Sequence, residues 1–171
     1  MPSTSPPLCS PIREILLRAV LEFVRGAQGR PEVQRIALIG SLATTKSEPK
    51  DADVLVTVLG DQHLARLADL GRKLKGAAQQ HNCGADIFLC TSRHQYLGRT
   101  CSYRECRPRV ACAGRNCSAS SYLKDDLHIV RLATDLMRQP PIELWPDIRA
   151  QIEPPGDVRT LLLDPLTVES P

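Results

Sequence analysis

Residues 51 to 59 read Asp-Ala-Asp-Val-Leu-Val-Thr-Val-Leu, a run that leaves the chain little choice but to build a sheet. Valine and threonine branch at Cβ, lose side-chain freedom in a helix and pack well on a pleated surface, so a strand is expected here. Alternate side chains of a strand share a face, which sends Asp51 and Asp53 to one side and Ala52 to the other. Two carboxylates so placed repel unless a cation lies beside them, and hard oxygen ligands suit magnesium or manganese.

The flanking segments say what such a strand belongs to. Ser10 and Pro11 make a helix start, an N-cap side chain followed by proline at the first helical position. Ile12, Ile15, Leu16, Ala19, Val20 and Phe23 then recur at three and four residues, the stripe of an amphipathic helix ending near Gly26. Val33 to Ile39 suits a buried strand, and Gly40 stops it. Asp61 is placed to cap a second helix carrying Leu64, Leu67, Leu74 and Ala78 on one face, and Ala85 to Cys90 forms a third strand. The connection between the first two strands is shorter than most parallel crossovers. The expected class is therefore α/β in the broad sense (α+β), a mixed sheet flanked by helices. A length of 171 residues suits one domain, expected over 10–150 after a Pro- and Ser-rich lead-in at 1–9. The proline-rich residues 151–171 are expected to wrap the surface or fray.

Asp86 opens the third strand, on the face of Phe88 and Cys90, where an acid among apolar residues needs a reason. Beside the Asp51 strand it would complete a three-carboxylate cluster able to hold two ions. The Gly40-Ser41 turn is the other half of such a site. Glycine lets backbone approach a phosphate, a following helical turn aims free N–H groups at it, and Ser41 adds a hydroxyl. Lys46 and Lys50, on the same connection, either neutralise phosphates or are plain solvated lysines.

Together these residues resemble the polymerase-β-like nucleotidyltransferases. That family carries a hydrophobic strand, Gly-Ser, a spacer, an acid-hydrophobic-acid triplet and often a third acid on a later strand. Here the pattern is met by Ile39-Gly40-Ser41, nine intervening residues, Asp51-Ala52-Asp53 and then Asp86, over roughly residues 33 to 90. The resemblance implies a nucleotidyltransferase-like core that moves a nucleoside monophosphate from a nucleoside triphosphate to a hydroxyl of a protein, nucleic acid or small molecule. It implies that Asp51 and Asp53 bind both catalytic Mg2+ (or Mn2+) ions, that Asp86 ligates one and helps activate the acceptor, and that Gly40 and Ser41 hold the triphosphate, with Lys50 a further candidate. Small members often follow Gly-Ser with Arg-Ala-Arg-Gly, whereas this chain has Leu42-Ala43-Thr44-Thr45. The rival class is a catalytically silent binding protein of the same fold, an antitoxin-like partner or a nucleic-acid adaptor.

Cys101, Cys106, Cys112 and Cys117 are spaced C-x4-C-x5-C-x4-C within a loop, 99–118, that has no hydrophobic pattern of its own. Four thiolates around zinc would organise it; idle thiols, or His94 or His128 replacing a ligand, are the alternatives. Cys83 and Cys90 read as small buried or strand-end residues, and Cys9 as part of the loose lead-in. Residues 93–115 carry six arginines (Arg93, Arg99, Arg104, Arg107, Arg109 and Arg115) against one acid, Glu105, which suits either a phosphate-rich partner or a solvated loop. A net charge of +3 does not by itself argue for nucleic acid or an anionic membrane. No apolar run is long enough to span a membrane and no secretory signal is legible, so a cytoplasmic location with reduced cysteines is expected. Leu127–Leu132 suits a fourth strand or the start of a helix, Asp125-Asp126 a turn or cap, and Trp145 a packing anchor.

Overall fold

A computed structural model describes residues 9–104, 106, 120–127, 129–132 and 136–169. The chain opens with α1 (Pro11–Ala27), runs through β1 (Val33–Ile39), a single 3-10 turn (Ser41–Ala43) and β2 (Asp51–Val58), and continues with α2 (Ala65–Gln79) and β3 (Gly84–Cys90). It then adds β4 (Tyr96–Thr100), β5 (Leu123–Lys124) and β6 (Ile142–Trp145). A last helix, α3, joins Gly156–Val158, a π-helical stretch Arg159–Leu163 and Asp164–Glu169. The six strands form one mixed sheet in the order β5-β4-β3-β2-β1-β6. β2 pairs antiparallel with β1 and parallel with β3, as the short first connection and the helical second one require.

Period-two alternation divides the sheet into two faces. Ile36, Leu38, Ala52, Val54, Val56, Ile87 and Leu89 point to the helices and join Leu16, Val20, Leu67, Leu74 and Leu162 in one buried cluster. Each valine, leucine or isoleucine among them contributes roughly 1.5–3 kcal/mol by leaving water. The other face of β2 and β3 carries Asp51, Asp53 and Asp86 at one end, followed by Leu55, Phe88 and Cys90.

Several expectations need correction. The Ser10 hydroxyl does not cap α1; it donates to Glu48 instead. Asp61 does not cap α2 either, because His63 takes a positive φ and the helix begins only at Ala65; Asp61 accepts a hydrogen bond from Ser120. The buried stripe of α1 includes Arg13 and Leu17 and leaves Ile12 and Ile15 half-exposed. Of the two readings of Leu127–Leu132 the strand is not formed among the described residues, where the Ile129 and Val130 N–H groups turn back onto the Asp126 carbonyl, and the helical one agrees with Leu132, whose carbonyl accepts the Leu136 N–H.

Residues 151–169 do not fray: Val158, Leu162 and Leu166 of α3 are buried. The π-helical widening ends just before Pro165, which has no N–H to give, and so lets the helix pass a residue that normally breaks it. No helix among the described residues is long and apolar enough to cross a membrane.

Candidate functional site

Strand register gathers the three carboxylates. Asp53 on β2 is paired directly with Asp86 on β3, and Asp51 lies two residues earlier on the same face. Asp53 is only 6% exposed, and its carboxylate takes no hydrogen bond or ion pair among the described residues. Burial, reinforced by the charges of Asp51 and Asp86 and opposed by Arg99, pushes its pKa up to about 7. Asp51, at the strand end, is exposed.

Two glycines make room for these groups. Gly40 follows β1 with φ +73° and ψ −160°, a backbone conformation that only glycine adopts readily, and a Cβ there would stand 2.7 Å from Asp53 Oδ2. Gly84 faces Asp51 across the β2–β3 ladder, and a Cβ on it would collide with Asp51 Oδ1. The Gly40 turn was legible in the sequence; the need for Gly84 appears only once the register is known.

The turn itself differs in part from expectation. The Gly40 N–H already donates to the Leu136 carbonyl at 3.2 Å, so it is not free for a phosphate. Gly40, Ser41, Ala43 and Thr44 line a cavity of about 240 Å³ whose far wall is Leu136, Arg138 and Gln139. Arg138 has no ion-pair partner among the described residues and brings a cation to the place where the turn's own sequence, Leu42-Ala43-Thr44, has none. Lys46 and Lys50 are exposed; their carbonyls serve the fold, accepting from Arg13 and Gly84 respectively.

Arg99 is the largest departure from the sequence reading. It is not in a solvated basic loop but in the middle of β4, paired with Phe88 on one side and Lys124 on the other. Its Nη1 lies 3.1 Å from Asp86 Oδ2, while its Nε donates to Asp126. Asp126 is fully buried, and its second oxygen accepts the Tyr96 hydroxyl at 2.7 Å. Burial works against the Arg99 charge, but Asp86 and Asp126 outweigh it and hold its pKa above the ordinary arginine value. Burial and then Asp126 push the Tyr96 hydroxyl up as well, so it stays protonated as a donor. Asp125 and Asp126 make the expected turn, Asp125 by accepting the Leu127 N–H on its side chain and Asp126 by accepting the Ile129 N–H on its carbonyl, while the Asp126 side chain faces inward.

A second arginine, this one buried, braces the turn from behind. Arg13, 4% exposed, donates from Nη1 to the Lys46 carbonyl at 2.7 Å and from Nη2 to the Leu42 carbonyl at 3.2 Å. The same guanidinium grips Asp157 of α3, with Nη2 3.1 Å from Oδ1. Burial opposes the Asp157 charge, but its bonds from Arg13 and Cys9 hold its pKa below the usual carboxylate value. Cys9, far from loose, donates its thiol to Asp157, and burial together with that carboxylate pushes it up to about 11.

Among the described residues no three His, Cys, Asp or Glu side chains are gathered closely enough as they stand to hold a metal ion. Asp86, turned onto Arg99, is one physical reason. The four-cysteine zinc reading falls partly outside the described residues, since Cys112 and Cys117 lie there. Cys101 and Cys106 are half-buried free thiols, the latter accepting the Tyr122 N–H. Compared with known proteins, the chain matches no family model, no curated protein and no solved structure.

Proposed function

We propose that this protein is a metal-dependent nucleotidyltransferase, transferring a nucleoside monophosphate from a nucleoside triphosphate to an acceptor hydroxyl. The observation that carries the reading is Asp53, a buried carboxylate without a hydrogen-bond or ion-pair partner among the described residues, set beside Asp51 and Asp86 and pressed against the Gly40 turn. A carboxylate in that position needs a cation, and an all-oxygen donor set suits Mg2+ or Mn2+. The chemistry such an ion supplies when bound is neutralisation of phosphate charge and polarisation of the reacting phosphoryl group.

The chain's own residues would divide the remaining work. Asp51 and Asp53 hold the ion. Ser41 and Arg138, which share a cavity with Gly40, receive the terminal phosphates. Asp86, held by Arg99 through Oδ2, accepts the proton of the acceptor hydroxyl as that hydroxyl's oxygen bonds to the α-phosphorus, and the bond to the bridging oxygen breaks to release pyrophosphate.

The test is transfer of label from α-labelled triphosphates, with RNA, protein and the chain itself offered as acceptors. Magnesium-dependent labelling is expected, lost in Asp51→Asn and in Asp53→Asn; labelling that persists in both variants rejects the reading. A second reading, a silent binding protein of this fold, is favoured by two contacts, Arg99 on Asp86 and the Leu136 carbonyl on the Gly40 amide. Calorimetry separates the two, because triphosphate binding indifferent to magnesium and to Asp86→Asn supports the silent protein.

A further inference from the structure

The three carboxylates are not equivalent. Asp51 and Asp53 are without hydrogen-bond or ion-pair partners among the described residues, whereas Asp86 already has a cation, the Arg99 guanidinium 3.1 Å from its Oδ2. That cation is not free to leave. Arg99 sits in a strand paired on both sides, and its Nε is tied to Asp126, which is fully buried and has its other oxygen taken by Tyr96. Swinging Arg99 away would strand a buried carboxylate without its counter-charge, a strongly unfavourable outcome in a protein interior. A divalent ion seated on Asp86 would in turn stand beside a fixed guanidinium, with like charges facing across a partly buried site.

We infer that Arg99 takes the place of a second ion, so that the site holds a single divalent cation, on Asp51 and Asp53, while Asp86 is served permanently by Arg99. The inference rests on the metal-binding reading above and sharpens it. Tyr96 and Asp126 are then positioning residues, holding the guanidinium that holds Asp86. Asp86, already neutralised by Arg99, is then left to meet an acceptor group instead of completing an ion's ligand shell.

Mn2+ titration of the intact protein tests this without reference to turnover. Calorimetry should count one Mn2+ per chain, and electron paramagnetic resonance at saturating Mn2+ should show the six-line spectrum of an isolated ion. The double variant Arg99→Gln with Asp126→Asn removes the fixed cation and its buried counter-charge together; it should bind a second Mn2+ and show an exchange-coupled pair. Two coupled ions in the unmodified protein overturn the inference and leave the nucleotidyltransferase reading standing, a result that needs no variant to fold. A count of one that stays at one in the folded double variant also overturns it, because Arg99 is then not what excludes the second ion. Absence of any Mn2+ binding to the unmodified protein removes the metal reading itself, and this inference with it.

Discussion

The two faces of β2 and β3 share one backbone and have opposite characters. Toward the helices every side chain at the centre is aliphatic and almost wholly buried, from Ala52, Val54 and Val56 to Ile87 and Leu89. On the other side the same strands begin with Asp51, Asp53 and Asp86 and only then turn apolar with Leu55 and Phe88. The first face stabilises the fold. The second spends part of that stability, since an ionised carboxylate loses solvation when it is covered. A site of this kind is tolerated because it stands on a layer that is conventional throughout.

Opposite signs are therefore expected when the two faces are cut. Leu38→Ala, on the helix-covered side of β1, should lower the free energy of unfolding by about 2–5 kcal/mol, the range for deleting a fully buried leucine side chain. Urea denaturation measures it, and a loss below about 1 kcal/mol would place the core elsewhere.

Asp53→Asn should do the reverse. The folded pKa of Asp53 is raised to about 7 from an unfolded value of 3.8, so the folded chain binds the proton more tightly and metal-free stability falls as pH rises between those values. Each pKa unit is worth about 1.4 kcal/mol, which puts the gain on removing the charge at pH 8 on the order of a few kcal/mol. Thermal melts in chelator at pH 5 and pH 8 should show the unmodified protein losing stability toward pH 8 and the variant losing much less. Parallel curves would mean that Asp53 is not strained. Added Mn2+ should shrink the loss, because the ion favours the charged form.

Gly84→Ala gives the smallest change in stability and sharpens the contrast most. Its φ is unrestricted and the atom it meets is the end of an exposed carboxylate, so the fold should change by no more than about 0.5 kcal/mol. Asp51 must turn aside, and Mn2+ affinity should fall severalfold. Unchanged affinity would exclude Asp51 from the ion's ligands.

The helix-covered face could be read almost residue by residue, because β-branching and period-two alternation are local signals. The same alternation placed Asp51 and Asp53 together, and the spacing put Asp86 within reach. What it could not show was pairing across distant segments. β4 was missed because Gly98 and Arg99 interrupt any apolar alternation, and Gly98 itself takes φ +126°. β6 was missed because four residues between prolines make a short edge strand, recognisable only from its pairing with β1. The buried side chains of Arg13 and Asp126 were not foreseen, the first being passed over and the second read only as part of a turn or cap, because charged residues are expected outside; each is buried because a second charged residue, Asp157 or Arg99, is there to meet it. That partner lies 144 residues away in one case and 27 in the other, and no short window contains both.

The Arg13–Asp157 clamp ties the two ends of the described chain to the loop behind the Gly40 turn. Peeling α3 from the body, whether by a protease or by a competing partner, would leave a buried guanidinium uncompensated and slacken the backbone that shapes the cavity beside Gly40. The carboxylate end of the sheet would thus sense the integrity of a helix that lines none of its cavity among the described residues.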